Sequence, residues 1–258
     1  MRVGVLGAGG RMGTTVCRAV SAAEDLELAA AVDPAHAGER AAGSDLLIGQ
    51  DPACLVSSAV QVAVDFTNRQ AAMEHLRLCA AAGIHAVVGT TGLGPEDLEE
   101  VKGLFEGSPA NCVVAANFAI GAAVMVRLAE LAAPYLDACE IVELHHQAKA
   151  DAPSGTALAT AAAVAAARQA AGAGPFATGA GAGGARGEAG PGGVRLHSVR
   201  LPGLVSHQEV LFGSPGQSLT LRHDSYDRDS FVPGVLLAVR SVASRPGTTV
   251  GLGPLLGF

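Results

Sequence analysis

The stretch EIVELHHQAKADAPSGTALATA, residues 140–161, gathers side chains that could move protons. It begins with the alternation of a strand, reaches His145 and His146, and passes Lys149 before an alanine-rich helix. Successive strand residues point to opposite faces, so the two imidazoles cannot chelate one metal ion together, and we predict no metal site. Glu143 shares a face with His145 and could orient its ring.

The loop after this strand has the features of a pocket for an anionic substrate. The sequence PSGT places the backbone N–H groups of Gly155 and Thr156 at a helix N-terminus, where the dipole favours a carboxylate. Lys149 adds a positive charge, and a histidine beside the pocket could act as a general acid or base. A lone buried histidine is more often a hydrogen-bonded core residue. Here, however, two histidines, Lys149 and SGT fall within twelve residues.

A second candidate site lies at the N-terminus, where the apolar strand MRVGVL runs into GAGGRMG, residues 7–13. A helix and a second strand that ends at Asp33 follow. This βαβ unit is typical of dinucleotide-binding folds, in which the helix N-terminus binds pyrophosphate and the acid binds ribose hydroxyls. The motif is not a regular GxGxxG, because Met12 stands where the third glycine belongs and Gly13 comes one residue late. Asp33 could instead start a simple turn with Pro34.

Strands and helices continue to alternate up to Phe118, which predicts a Rossmann-like, doubly wound parallel sheet in an α/β protein. Three of the strands are QVAVDFT, HAVVGTTG and NCVVAANF. The loops GTTG, residues 89–92, and AANF, residues 115–118, follow the carboxyl ends of strands, where such sheets bind ligands. Their small residues and backbone donors suit a nicotinamide and its ribose, although either loop alone could be an ordinary turn.

The pattern changes after Phe118 and predicts a second, smaller α+β domain over residues 119–228, which contains the candidate substrate pocket. The segments VRLHSVRL, SHQEVLFG and QSLTLRHDSY alternate like three antiparallel strands. The Gly/Ala-rich tract at 172–193 is predicted to be a mobile surface loop. We expect the final helix to return to the first domain, which then comprises residues 1–118 and 229–258.

The composition excludes several classes of function. The chain has 258 residues, of which 49% are hydrophobic and 16% charged, so its core must be built from Val, Leu, Ile and Ala. A net charge of −7 without a basic cluster argues against nucleic acid as a partner. A small anionic substrate remains possible, since it needs only a local positive site.

The cysteines and the apolar segments predict a cytoplasmic protein that does not enter a membrane. The five cysteines form no CxxC pair and no signal peptide is recognised, which is typical of buried, reduced thiols. The most apolar helical segment, FAIGAAVMVRLAELAAPYL, is interrupted by Arg127 and Glu130.

The stretch EIVELHHQAKADAPSGTA closely resembles the signature of the dihydrodipicolinate reductase family, also called 4-hydroxy-tetrahydrodipicolinate reductase. GAGGRMG, DFT, GTTG, AANF, HQEVLFG and RDSFVPGVLLAV stand where that family has its corresponding segments, so the resemblance covers nearly the whole chain. LPGLVSHQEVLFG looks like the actinobacterial branch, whereas the tract at 172–193 departs in composition. The resemblance implies an enzyme that uses NADH or NADPH to reduce a small cyclic dicarboxylate, 4-hydroxy-tetrahydrodipicolinate, to tetrahydrodipicolinate in diaminopimelate and lysine biosynthesis. It also implies a homotetramer in which the sheets of the second domains pack together, so that this domain serves substrate binding and oligomerisation, and it implies no metal.

The resemblance further assigns a role to each matching residue. His145 would donate or accept a proton, and Lys149 would donate one. The residues implied to bind the substrate carboxylate are His146, Gly155 and Thr156. The residues implied to bind the cofactor are Gly7, Ala8, Gly9, Gly10, Arg11, Met12 and Asp33 at the pyrophosphate and adenosine ribose, and Gly89, Thr90, Thr91, Ala115, Ala116, Asn117 and Phe118 at the nicotinamide.

The residues after the second strand predict which nucleotide is used. A carboxylate at Asp33 accepts from a free 2′-hydroxyl and repels a 2′-phosphate, which favours NADH. Pro34 occupies a position from which an arginine could have held that phosphate. Arg11 and Arg40 could soften the choice. We therefore expect NADH to be used at least as well as NADPH, with modest discrimination.

Two other functions remain open at this point. Another NAD(P)-dependent dehydrogenase, such as an amino-acid dehydrogenase, explains the nucleotide half but not HHQAKADAPSGT. A non-catalytic nucleotide sensor would keep the glycine turn, yet has no use for His145 and Lys149 beside an anion pocket. Because cofactor loops precede Phe118 and the substrate loop follows it, an enzyme would need its two domains to close.

Overall fold

A computed structural model of the chain describes residues 1–179 and 184–258. Its contacts divide the chain into two compact units, Met1–Phe118 with Phe231–Phe258, and Ala119–Ser230. We call these the first and the second unit.

The strands and α-helices of the described residues are numbered in chain order through both units. The strands are β1 Arg2–Leu6, β2 Glu27–Val32, β3 Val62–Asp65, β4 His85–Val88, β5 Cys112–Val114, β6 Ala138–His145, β7 Glu188–Ala189, β8 Arg195–Arg200, β9 Ser206–Ser214, β10 Gln217–Ser225 and β11 Thr248–Val250. The helices are α1 Arg11–Ala22, α2 Cys54–Ser57, α3 Arg69–Ala82, α4 Pro95–Phe105, α5 Ile120–Ala132, α6 Gly155–Ala170, α7 Val232–Ser241 and α8 Gly253–Leu256.

The first unit contains a six-stranded sheet in the order β11-β5-β4-β3-β1-β2, with every neighbouring pair parallel. This confirms the predicted doubly wound sheet. The last strand, β11, was not predicted, because three residues between RPG and GLGP are too few to show a strand pattern. It pairs with β5, so the C-terminal segment completes one edge of the sheet.

Aliphatic side chains fill the core of the first unit, as the composition predicts, and the aromatic side chain of Phe105 from α4 is fully buried among them. All five cysteines are free thiols, and four of them are buried. Cys54 is the exception, since it is only half-buried. Burial raises the pKa of Cys17 and Cys79 to about 12, which keeps these thiols protonated and unreactive.

The second unit has a five-stranded sheet in the order β10-β9-β6-β8-β7. The prediction of three consecutive antiparallel strands was wrong for β8, which pairs in parallel with β6, while β6 lies between β8 and β9. Only β9 and β10 form the predicted antiparallel hairpin. Alternation identifies a strand but not its neighbour. Here β6 and β8 are joined by a crossover through α6, and that connection makes them parallel.

One face of this sheet forms the core of the second unit. Cys139 and Ile141 of β6 and Val210 and Phe212 of β9 join α5 and α6 in one apolar cluster. Residues 180–183 of the predicted mobile loop lie outside the described residues. The described part of that tract contains β7, which pairs antiparallel with β8 and which its Gly/Ala composition did not reveal. Across the described chain, no helix is both long and apolar enough to cross a membrane.

Candidate active site

The glycine loop after β1 has the backbone geometry of a phosphate-binding turn. Gly7 has a φ of +78°, a conformation that glycine adopts without strain, and its N–H donates to the carbonyl of Val32 on β2 at 2.8 Å. Helix α1 begins directly after Gly10, which has no side chain to cap it. Within the described residues, no side-chain hydrogen bond caps this N-terminus. Its first N–H groups are therefore suited to an anion.

Gly13 allows the close packing of α1 on the turn that the third glycine of a regular GxGxxG motif provides. A Cβ added at Gly13 would lie 1.9 Å from the carbonyl oxygen of Gly7. Helix α1 can pack this closely on the turn only because that Cβ is absent. The irregular spacing at Met12 is therefore no objection to a nucleotide site, because the close contact falls at position 13.

Asp33 follows β2 and is tied to the glycine loop. Its Oδ2 accepts from the N–H of Gly9 at 3.1 Å, and its Oδ1 accepts from the N–H of Ala35 at 3.0 Å. Asp33 thus both starts a turn and lies beside the loop, so the two interpretations of this residue are compatible. Arg40 forms an ion pair with Asp45, not with Asp33.

The loop after β4 is held by Asp65, a buried carboxylate that was not among the residues predicted from the sequence. Oδ1 of Asp65, at the end of β3, accepts from the N–H and hydroxyl of Thr67 at 2.8 and 2.6 Å, and from the hydroxyl of Thr90 at 3.0 Å. Its Oδ2 lies 2.7 Å from Nδ1 of His75 on α3. Thr90 therefore turns its hydroxyl to Asp65. The sequence did contain an indication of this role, since Asp65 is an acidic residue at the end of the apolar strand β3.

The far end of the same loop has a second anchor. Asp97, in the first turn of α4, accepts from the N–H of Gly94 at 2.8 Å and from Nε and Nη2 of Arg69 at 2.7 and 2.6 Å. These hydrogen bonds, led by the one from Arg69, hold the pKa of Asp97 below its usual range. Gly89 lies against the Phe66 ring, where a Cβ would come within 2.1 Å of Cε1.

The remaining predicted nicotinamide residues differ in exposure. The structure leaves Thr91 and Ala116 exposed and Asn117 half-buried, while Ala115 and Phe118 are buried. Phe118 instead packs against Phe66, with ring centroids 5.9 Å apart. The exposed residues Thr91 and Ala116 can contact a ligand directly, whereas the Phe118 side chain supports the loop.

In the second unit, Glu143 orients His145 as the strand alternation predicted. Glu143 is fully buried, and its Oε2 lies 2.5 Å from Nδ1 of His145. Arg200 donates to both of its oxygens, at 2.7 and 2.8 Å, and the N–H of Ser154 donates at 3.1 Å. Burial alone would raise the pKa of Glu143, but hydrogen bonds from Arg200, Ser198 and His145 outweigh it and lower that pKa. The carboxylate is therefore ionised.

The other ring nitrogen of His145 has a partner as well. Nε2 lies 3.1 Å from Oγ of Ser206 on β9. Burial lowers the pKa of His145, and the positive charges of Lys149 and Arg200 lower it further, against the opposing influence of Glu143. Arg200 and Ser206 were both missed in the sequence, because they lie more than fifty residues from His145 and reach it only through strand pairing.

The predicted anion site is organised around the carboxylate of Asp151. Nζ of Lys149 lies 2.8 Å from Oδ1 of Asp151, and the N–H of Gly155 also donates to this carboxylate. Ser154 caps α6 by accepting from the N–H of Ala157 at 3.2 Å. Two of the predicted donors, Lys149 and Gly155, thus already meet at one carboxylate.

The last predicted residues lie at the edges of this site. His146 follows the end of β6, is half-buried, and accepts the N–H of Lys149 through its carbonyl at 3.1 Å. Thr156 is half-buried in the first turn of α6. No group of three His, Cys, Asp or Glu side chains in the described part of the chain is arranged to hold a metal ion.

Comparison with known proteins identifies the family. Residues 1–118 match the family described as dihydrodipicolinate reductase, N-terminus, and residues 121–256 match its C-terminus. The 4-hydroxy-tetrahydrodipicolinate reductase of Nocardia farcinica is 52% identical to this chain, over 99% of this chain and 98% of its own length. The enzyme of the same name from Mycolicibacterium smegmatis is 51% identical, over 99% of both chains.

Solved structures show the same relationship. A dipicolinate-bound dihydrodipicolinate reductase from Paenisporosarcina sp. TG-14 is 37% identical, covers 98% of both chains and has a TM-score of 0.84. An amine dehydrogenase from Mycobacterium smegmatis, 17% identical with a TM-score of 0.65 over 96% of this chain and 94% of its own, shares only the fold. The chain therefore belongs to the dihydrodipicolinate reductase family.

Proposed function

We propose that this chain reduces 4-hydroxy-tetrahydrodipicolinate to tetrahydrodipicolinate, in diaminopimelate and lysine biosynthesis, with a nicotinamide dinucleotide as the reductant. The observation that carries the proposal is the arrangement after β6. A buried Glu143–His145 pair lies beside a loop in which Lys149 and the N–H of Gly155 meet at a carboxylate. Such a site suits an anionic substrate that takes up a proton. Relatives at about half identity over their whole lengths carry the name of this activity.

The first unit fits the cofactor that this reaction requires. The turn at Gly7, the close approach of α1 at Gly13 and the uncapped N-terminus after Gly10 together form a cradle for a pyrophosphate. When bound, the dinucleotide supplies a hydride. We assign Asp33 to the hydroxyls of the adenosine ribose, and the exposed residues Thr91 and Ala116 to the nicotinamide.

The nucleotide preference follows from the same residues. Asp33 favours a ribose with a free 2′-hydroxyl, and Arg40 is engaged by Asp45. Arg11, exposed at the start of α1, is the remaining cation of the loop. NADH is therefore used at least as well as NADPH by kcat/KM.

The residues of the second unit bind the substrate and handle its protons. His146 and the N–H groups of Gly155 and Thr156 bind a substrate carboxylate, which displaces Asp151 from Gly155 and from the ammonium of Lys149. Lys149 is the proton donor. His145, fixed by Glu143, is the other proton-active group.

We further propose that the chain forms a homotetramer through the second unit. The face of its sheet that lies opposite the apolar cluster carries Val142, Leu144 and Leu211, all half-buried, together with the ion pairs of Glu140 and Glu209. A mixed face of this kind suits packing against another copy. Sedimentation velocity is expected to give the mass of four chains, and a monomer at micromolar concentration would contradict this assembly.

A spectrophotometric assay tests the reductase activity. The condensation product of pyruvate and aspartate semialdehyde is mixed with enzyme and NADH, and oxidation of NADH above background is expected. Pyruvate alone and aspartate semialdehyde alone serve as control substrates, because oxidation of NADH with either carbonyl compound would instead favour a different dehydrogenase. Tight NADH binding without oxidation would favour a nucleotide sensor.

A further inference from the structure

Four residues of the second unit form one continuous chain of hydrogen bonds. It runs from Arg200 through Glu143 to Nδ1 of His145, and from Nε2 of that ring to Ser206, with distances of 2.8, 2.5 and 3.1 Å. Glu143 is held ionised by the paired donors of Arg200, and an ionised carboxylate can only accept. Nδ1 of His145 must therefore carry a hydrogen.

The state of the other nitrogen follows from its surroundings. The charged groups around the ring are Glu143 on its own strand, Arg200 on β8 and Lys149 in the loop that follows, with Asp151 paired to Lys149. Burial and the two positive charges outweigh the carboxylate and lower the pKa of His145, so that the ring is neutral near pH 7. A neutral ring that carries hydrogen on Nδ1 has a lone pair on Nε2. The hydroxyl of Ser206 is then the donor of the 3.1 Å contact.

We infer that Ser206 is a positioning residue that, together with Glu143, fixes His145 as the neutral Nδ1–H tautomer. In this state the ring can accept a proton at Nε2 and has none there to give. The inference rests on the proposed function only for its kinetic consequence. It decides between the two roles that the sequence left open for His145, and it leaves the Lys149 ammonium as the proton donor.

The tautomer is measured first, without turnover. In the free enzyme labelled with ¹⁵N-histidine, with His145→Gln used for assignment, Nδ1 of His145 is expected to be protonated and Nε2 not, at pH 7. A hydrogen on Nε2, alone or on both nitrogens, would overturn the inference. Because this measurement needs no substrate, it stands even if the reductase assay fails.

Substitution of Ser206 gives the second measurement. Ser206→Ala removes the donor to the Nε2 lone pair, so the fraction of neutral His145 rings that carry hydrogen on Nε2 is expected to rise by a factor of roughly 2–10, read from the same ¹⁵N shifts above the titration midpoint. Ser206→Thr keeps the hydroxyl and should restore the wild-type fraction. Ser214→Ala, at the far end of the same strand, should leave that fraction unchanged. An unchanged fraction in Ser206→Ala would refute the role of Ser206.

The pH dependence of kcat/KM gives the kinetic consequence. A proton acceptor must be neutral, so kcat/KM should fall as the pH drops through the pKa of His145. Glu143→Gln no longer stabilises the imidazolium and should shift this fall to lower pH. A kcat/KM that instead fell as the pH rose through the pKa of His145 would require a protonated ring and would overturn the inference. A wild-type enzyme without any reductase activity would instead refute the proposed function.

Discussion

Gly13→Ala tests whether the close packing of α1 creates the nucleotide site. The added Cβ would lie 1.9 Å from the carbonyl oxygen of Gly7, whereas real Cβ contacts are essentially never under 3.0 Å. The start of α1 must therefore retreat by about 1 Å, and no rotamer change can relieve a contact between backbone and Cβ. Overpacking costs typically ~1–3 kcal/mol, and we place this case at the upper end. The gain of roughly 1 kcal/mol for alanine over glycine in a helix leaves a net loss of about 2 kcal/mol.

The matched control is Gly103→Ala in α4. Gly103 is an exposed helical glycine with nothing within 4 Å of the added Cβ, so only the helix propensity changes. This variant should be more stable than the wild type by up to about 1 kcal/mol. Urea unfolding followed by circular dichroism should separate the two variants by about 3 kcal/mol.

Nucleotide binding gives the second readout for the same pair. A shift of α1 moves the N–H groups that are proposed to hold the pyrophosphate, and a lost hydrogen bond to a charged group costs ~1.5–3 kcal/mol. The Kd for NADH, measured by fluorescence titration, should therefore rise at least about tenfold in Gly13→Ala and stay unchanged in Gly103→Ala. Wild-type stability together with wild-type Kd in Gly13→Ala would refute the packing argument. Reduced stability with an unchanged Kd would show that the pyrophosphate binds elsewhere.

Three further predictions concern the proposed site. Lys149→Ala should lower kcat by a factor of ~10²–10⁴, as expected for a general acid. His146→Ala should instead change mainly KM in the same steady-state assay. A change confined to KM in Lys149→Ala would show that Lys149 only binds the substrate. Thr90→Val should raise the KM for NADH, because the loop loses its hydrogen bond to Asp65, and Thr90→Ser should return the KM to the wild-type value. Equal KM values in the wild type and both variants would show that this hydrogen bond does not hold the loop. Asp33→Ala should raise the KM for NADH more than that for NADPH, and an equal rise in both would assign Asp33 to the turn alone.

The sequence predicted the first unit well because its elements follow each other in local order. Strand, glycine turn and helix each have a short-range pattern, and parallel neighbours joined by helices leave few alternative topologies. The position of β8 could not be predicted in this way. Its neighbour is β6, about fifty residues earlier, and no local pattern records that choice.

In the candidate site, too, only the residues that are close together in the sequence could be predicted. Residues that lie next to each other in the chain, such as His145 and Lys149, could be found from the signature stretch. Glu143 could be placed because strand alternation is local. Arg200 and Ser206 complete the surroundings of His145 from β8 and β9, and only the folded sheet brings them there.

Asp151 offers the last prediction, because its carboxylate occupies the donors that we assign to the substrate. Lys149 and the N–H of Gly155 both contact it, and its side chain is 56% exposed. An anionic substrate must displace this carboxylate before it can use those donors. The Asp151 end of this ion pair is open to solvent, and solvent-exposed pairs are worth ~0.2–1 kcal/mol, so its removal should tighten substrate binding by a factor of roughly 1.4–5.

Asp151→Asn is the variant for this test, because it removes the charge and keeps the shape. The KM for the dicarboxylate should fall by that factor, the KM for NADH should not change, and added salt should reduce the difference from the wild type. Asp45→Asn, which removes a carboxylate from an ion pair in the first unit, is the control for net charge. A fall in kcat at unchanged KM would contradict the displacement argument. Asp151 would then act by orienting Lys149 for proton transfer rather than by competing with the substrate.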